Sequence, residues 1–437
     1  MFKKTSWPCF IVYFLYSFGV SSCSAPKPET AYLTDDGAWC WFSDPRAIYN
    51  GQEIITGWVK ADGTIEAAAF NPQTKAIVTK TLYPKLQSDD HDNPAFVKTA
   101  NGHLIATYTS HSGKDGFFMN TTSAGMDISS FGEAVKVPLL DSALLEEFPK
   151  VHVTYANPYR LQAENNRLYC FGRWTGYKPN MMWSDDDGKT WTTSKVMITN
   201  YPFDPNNRPY AKYYSDGISK IHIIFTDGHP RVEPTNSVYY AYYEAGAFYK
   251  ADGSKIADMQ SIPFEPKDAT LIYQSNETSG RAWIADVAQD EKGNPVILYT
   301  KSPSETDHRY WYAKYDGENW VNTELCSAGK WFPQTPPGEE EREVHYFGNM
   351  CLYPANTNVV YLSRQINGVF EIERWQTKDN GQTWQTKAIT QGSKLDNVRP
   401  YVPREGNEQQ EVVFWMENHK YIHYTDYQTA IKYYIHQ

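Results

Sequence analysis

Three pairs of polar residues could carry proton-transfer chemistry, and their spacing would bring each pair together: His91 with His111, Tyr155 with Arg173, and Tyr210 with His229. In an antiparallel hairpin, residues equidistant from the turn face each other with Cα atoms about 4.5–5.5 Å apart. His91 and His111 lie evenly about Asn101 in "ANG", Tyr155 and Arg173 about Glu164 in "AENN", and Tyr210 and His229 about the Ser219–Lys220 boundary in "SDGISK". Arg208 opens the same segment as Tyr210 and is grouped with it. If these hairpins are the inner strands of successive β units, the side chains converge on one mouth. A single His or Tyr at a strand end usually serves packing, but packing does not require titratable pairs at equivalent ends of three consecutive units.

Arginine, histidine and tyrosine together suit abstraction of a proton α to a carboxylate. The guanidinium pairs with the carboxylate and stabilises the charge that grows into it. A Tyr or His takes the proton, and a Tyr hydroxyl can protonate the departing oxygen. A phenol, ordinarily near pKa 10, is a poor base unless cations depress it, and the neighbouring His and Arg are expected to do so. Asp89, Asp90 and Asp92 are placed to orient His91 or cap a turn. No Asp/Glu pair stands at the mouth positions, which argues against an ordinary glycosidase. No G-x-S-x-G elbow or H-E-x-x-H motif occurs either. The fitting substrate is a 4-linked uronic acid cleaved by β-elimination.

The elements that must position these residues are β-strands. Aromatic residues make up 15% of the 437 positions, and long amphipathic helical patterns are scarce, a composition that favours sheet. "SDDDGKTW" (Ser184 to Trp191) and "TKDNGQTW" (Thr377 to Trp384) resemble the Asp-box, a β-hairpin turn that recurs on the outer hairpins of propeller blades. "VKADGTI" and "YKADGSK" are looser turns of the same kind. Seven segments read as strand, polar turn, strand: roughly 40–59, 91–111, 155–173, 208–229, 281–301, 345–364 and 398–416. The expectation is an all-β, seven-bladed β-propeller, with two stacked β-sandwiches as the rival. The net charge of −10 argues against a nucleic-acid partner.

Lys3 and Lys4 followed by the apolar run Phe10 to Val20 read as an export signal too short to span a bilayer. "VSSC", Val20 to Cys23, resembles a lipobox, so residues 1–23 are expected to be a lipoprotein-type signal acylated at Cys23, with ordinary signal cleavage as the alternative. Residues 24–34 are expected to be a linker and 35–437 a single propeller domain. The expected location is exported: cell-surface or periplasmic, or secreted, with the membrane engaged only through a lipid on Cys23. Cys40, Cys170, Cys326 and Cys351 show no C-x-x-C spacing and are expected to be buried free thiols; a zinc site of Cys326, Cys351 and His345 is the alternative. No cofactor is required by the chemistry, though a structural metal ion is compatible with it.

The segments "DDGAWCWFSDPRAIY", "DDHDNPAF", "YTSHSG", "TYANPYRL", "NRPYAKYYSDG", "FTDGHPR", "YLSR", "EIERW" and "NVRPYVPR" resemble the BNR-4 propeller family over about residues 35–404. That family includes ulvan lyases of polysaccharide lyase family 25 and related α-L-rhamnosidases. The resemblance implies a catalytic His/Tyr centre at His91 and Tyr155, with Tyr155 as base and acid and His91 sharing the base role. It also implies the second family histidine at His111, a carboxylate-neutralising Arg173 and a substrate-contacting tyrosine at Tyr210 (beside Tyr213 and Tyr214). From their place at the same mouth, Arg208 and His229 are expected to bind substrate together with His111. The implied partner is an anionic, sulfated, rhamnose- and uronate-containing polysaccharide such as ulvan, met by a monomer. The family's rhamnosidases use an N-terminal histidine on the opposite face. This chain has none before His91, although a variant using Gln52 stays open, as does a non-catalytic glycan-binding propeller.

Overall fold

The structure, a computed structural model, describes residues 1–3, 28–139, 142–304, 306–329, 348–406 and 411–436. The strands gather into seven antiparallel sheets, six of four strands and one of six. The first strands of neighbouring sheets touch one another around a ring. The protein is therefore a seven-bladed β-propeller, and the stacked-sandwich alternative falls. The fourth blade carries the extra hairpin Ala247–Tyr249 and Lys255–Asp258, whose turn is the "KADGS" segment. Most of the expected signal segment, with Cys23, and also His345 lie outside the described residues.

The ring is closed by the two ends of the chain. Thr30–Thr34 pairs with Asp426–Ile435, Thr30 facing Tyr434, and so forms the outer strand of the seventh blade. The expected linker 24–34 thus ends in a strand. Its five residues carry too little alternation to be read locally, and the partner lies at the far end of the sequence.

Both Asp-boxes link the third and fourth strands of their blades. In the first, Asp186 Oδ1 accepts from Ser184 Oγ at 2.8 Å and Thr190 N at 2.8 Å, while Trp191 Nε1 donates to Gly188 O at 3.1 Å. The second repeats this with Thr377, Asp379, Thr383, Trp384 and Gly381. Gly188 and Gly381 sit at φ 84° and 90°, where a Cβ would be strained. At the heart of the ring, Asp44 is buried between Arg46 at 3.2 Å and Lys212 at 2.7 Å, and Arg404 meets Asp286 at 2.6 Å. These buried pairs join the first, fourth, fifth and seventh blades and tie the inner strands to one another.

Candidate active site

The blade 2 hairpin has the register its sequence symmetry requires: Ala95 faces Thr107 and Lys98 faces Leu104. His91 sits in the 3-10 turn Asp90–Asp92 just before it and His111 just after it. Their rings stack at 4.1 Å between centroids, 15° from parallel. One carboxylate holds both: Asp89 Oδ1 accepts from His91 Nδ1 at 2.7 Å, and Oδ2 from His111 Nδ1 at 2.8 Å. The Asp89 side chain also caps the turn through the His91 backbone N–H at 3.0 Å.

The next two pairs meet by other means. In blade 3 the register shifts between Val151 and Thr154 and again between Thr154 and Asn157, so Thr154 faces Arg173. Tyr155 lies in the resulting bulge at φ 68°, a left-handed conformation that re-aims its side chain. Its ring centre lies 5.8 Å from that of His91, and the Arg173 guanidinium stands 5.6 Å from its centre. In blade 4, Ala211 faces Phe225 and Thr226 N donates to Tyr210 O at 3.0 Å. Tyr210 and His229 are therefore not a facing pair. The hairpin turns earlier than their symmetry implied, and His229 lies beyond the strand in "TDGH". The rings still meet edge-on at 5.1 Å. Arg173 donates to the Tyr210 hydroxyl and lies 4.8 Å from its ring. Arg208 joins through Tyr177, whose ring is 5.2 Å from Arg208 and 4.7 Å from Arg173. All seven residues singled out in the sequence therefore share one rim.

Other neighbours were not singled out. Cys40 Sγ lies 3.9 Å from the Tyr155 hydroxyl. Phe42 packs 5.6 Å from Tyr155 and 4.7 Å from Tyr210. The "WCWF" cluster was the available signal for both. Tyr424, from the seventh blade, stands edge-on to His91 at 4.9 Å and His111 at 5.2 Å; its place in a turn after the penultimate strand offers no local signal.

Burial and charge divide the protonation states. Burial strongly opposes charge on His91, but negative charge on the Cys40 sulfur and on Asp89 outweighs it and raises its pKa well above the ordinary value. His111 is pushed down to about 4, by burial first and by the charge on His91 next. The stacked pair thus holds one proton, on His91. Burial, then Cys40, raises Tyr155 well above an ordinary phenol, despite His91 and Arg173. The expectation that adjacent cations depress it is overturned: desolvation of a fully buried phenol outweighs two cations. The phenol that is lowered is Tyr177, where Arg173 and Arg208 overcome burial. His229 is held neutral by burial and by Arg208. The mouth therefore offers a protonated phenol, a neutral imidazole, an imidazolium and a guanidinium.

Among the described residues, two sets of side chains could ligate a metal: Cys40, Asp90 and His91, and Asp89, His91 and His111, with the ligand atoms of each set within 4.8 Å of one another. The four cysteines among the described residues are free, as expected; Cys40, Cys170 and Cys351 are buried and Cys326 half-buried. Burial pushes the Cys326 thiol up to about 12. Neither it nor Cys351 joins a described group of candidate ligands. A polar hollow of about 500 Å³ between blades 5 and 6, lined by turn residues such as Asp290, Asn356 and Asn380, shares no residue with the His/Tyr/Arg cluster.

A family model described as BNR repeat-containing family member, BNR_4, matches residues 55–328, more than half the chain. The protein belongs to the BNR_4 family. No curated protein matched it. Among solved structures, this BNR_4 protein is similar to a PL25 ulvan lyase bound to -[GlcA(1-4)Rha3S]-, with a TM-score of 0.68 at 13% identity over 93% of this chain and 96% of the other. It is also similar to the polysaccharide lyase Uly1, with a TM-score of 0.61 at 12% identity over 94% and 99% of the two chains. At such identities the likeness concerns the fold.

Proposed function

We propose that this BNR_4 propeller is a polysaccharide lyase that cleaves a 4-linked uronic acid by β-elimination, with a sulfated, rhamnose-containing polymer such as ulvan as its substrate. The observation that carries this reading is the buried Arg173 guanidinium set between Tyr155 and Tyr210, beside a stacked histidine pair held by one carboxylate, Asp89. Arg173 would receive the uronate carboxylate and stabilise the charge that develops as C5 loses its proton. His111, neutral and with its side chain 15% exposed, accepts that proton. The electron pair forms the C4=C5 bond as C4–O4 breaks, and the Tyr155 hydroxyl protonates the leaving O4. The His91 imidazolium then returns a proton to Tyr155. Asp89 keeps both imidazoles oriented throughout. The ligand of the PL25 structure, a GlcA–Rha3S chain, supports this substrate class.

The test is incubation with ulvan while following the ultraviolet absorbance of the unsaturated uronate. An absorbance rise supports the reading. Free rhamnose from arabinogalactan without that rise would replace it with a rhamnosidase, and glycan retention without either product would replace it with a binding module. The pH profile is a second check. With His111 neutral down to about 4, the acid limb of kcat/KM should fall near pH 4 rather than near the ordinary imidazole value of about 6.5. A limb close to 6.5 would take the base role away from His111.

A further inference from the structure

We propose that Cys40, His91 and Asp90 form a binding site for a thiophilic divalent cation of the zinc class, placed against the Tyr155 hydroxyl. The three offer a sulfur, a ring nitrogen and a carboxylate oxygen within 4.8 Å of one another, and all three residues are buried. Bonds of roughly 2.0–2.3 Å around a tetrahedral zinc put neighbouring ligand atoms about 3.5 Å apart. Closing from the observed spacing is a matter of small side-chain rotations.

Two features favour an ion here over a merely packed cluster. The loop that carries Cys40 is fastened to the turn that carries the other ligands: Cys40 N donates to Asp90 O at 2.8 Å and to Asn93 Oδ1 at 3.0 Å. The cage is therefore assembled before any ion arrives. In addition, one Asp90 oxygen is left over. Its Oδ2 takes Arg399 at 2.5 Å and the Tyr421 hydroxyl. Its Oδ1 stands 3.1 Å from His91 Nδ1, but that N–H is given to Asp89, so Oδ1 accepts no well-formed hydrogen bond. A fully buried carboxylate oxygen without a donor suits a cation.

The donor set selects the metal. A thiolate with an imidazole and a single carboxylate oxygen suits zinc, cadmium or cobalt(II), whereas calcium and magnesium take six or more oxygen ligands. Binding displaces the thiol and imidazolium protons to solvent. It also removes His91 from the proton-carrying set and places a cation beside Tyr155, whose hydroxyl is 3.9 Å from the sulfur. Occupancy therefore inhibits elimination; this consequence, unlike binding itself, rests on the lyase reading.

The experiment is a cobalt(II) titration of the purified full chain, read by the thiolate-to-cobalt charge-transfer band, followed by displacement with zinc in a calorimeter. The expected result is one site whose band is lost in Cys40→Ser and in His91→Gln and kept in Cys326→Ser, with zinc affinity in the first two reduced by more than the roughly 10–100-fold that loss of an outer-shell partner costs. No band in the wild-type protein, a band that survives Cys40→Ser, or one that vanishes in Cys326→Ser would overturn the site. Zinc added to the elimination assay should suppress product. Elimination unaffected by saturating zinc would overturn the inhibition. A cobalt band in a protein that releases no unsaturated uronate would leave the metal site standing and sink the lyase reading alone.

Discussion

Tyr155→Phe should abolish elimination and leave the propeller intact. The substitution removes one hydroxyl whose protein contact is the Cys40 sulfur at 3.9 Å, while the ring keeps its packing on Phe42 and beneath Arg173. The left-handed backbone at φ 68° is kept as well, since Phe meets the same steric cost there as Tyr. What is lost is the proton delivered to O4, and removing a general acid costs about 10²–10⁴ in rate. The measurement is kcat on ulvan from the uronate absorbance, with a thermal melt of the same sample. Residual activity within a few-fold of wild type would refute the assignment of Tyr155 as the acid. A collapse in melting temperature would show that the hydroxyl serves the fold.

The second large effect concerns stability. Arg399 sits at φ 55° and gives one nitrogen to Asp90 Oδ2 at 2.5 Å and Trp39 O at 2.8 Å, and the other to the Tyr421 hydroxyl at 2.8 Å. Its guanidinium lies 5.0 Å from the Trp41 ring. Arg399→Met would strand a fully buried carboxylate. Breaking a buried ion pair from one side costs about 3–5 kcal/mol, to be measured by denaturant unfolding at neutral pH. Asp90→Asn in the same chain should restore part of that loss by removing the uncompensated charge. Burial opposes the Asp90 charge, but Arg399 overcomes it and holds the carboxyl below the usual range. The stabilisation from this pair is thus present above the unfolded carboxyl's pKa of about 3.9 and lost as pH falls through the lower folded value. The variant should show a flatter acid dependence below that point. A loss under about 1 kcal/mol would mean that water reaches Asp90 and that the pair is not as isolated as its burial implies.

How legible each part of the site was depended on how local its cause is. His91 and His111 were readable because a short regular hairpin obeys its register, so equal spacing about Asn101 translates directly into contact. Tyr155 and Arg173 were placed together by the same symmetry, yet the bulge makes Thr154 the facing residue; the cluster survives because the left-handed Tyr155 swings back toward it. Tyr210 and His229 meet although their facing geometry fails, an agreement owed to the loop after Thr226 rather than to the strands. The protonation pattern was not legible. The signs for Tyr155 and Tyr177 depend on how deeply each phenol is buried relative to the same arginine, and burial is a property of the whole ring. Arg399 and Tyr424 come from the seventh blade, so no spacing rule within blade 2 could have joined them to His91. The blade count, in contrast, was carried by repetition, with each polar turn marking one inner hairpin.

The strand Thr30–Thr34 has a kinetic consequence. It finds its partner only when Asp426–Ile435 has been made, with Thr30 against Tyr434 and Ala31 against Tyr433. A chain synthesised from its N-terminus therefore holds its first strand unpaired, with open backbone donors and acceptors, while six blades assemble from contacts local to each. Closure is the slow, non-local event. Until it occurs, the loose strand and the open edge of the seventh blade can each pair with another copy of the chain, so exchange of that one strand between molecules is the misassembly this topology would favour.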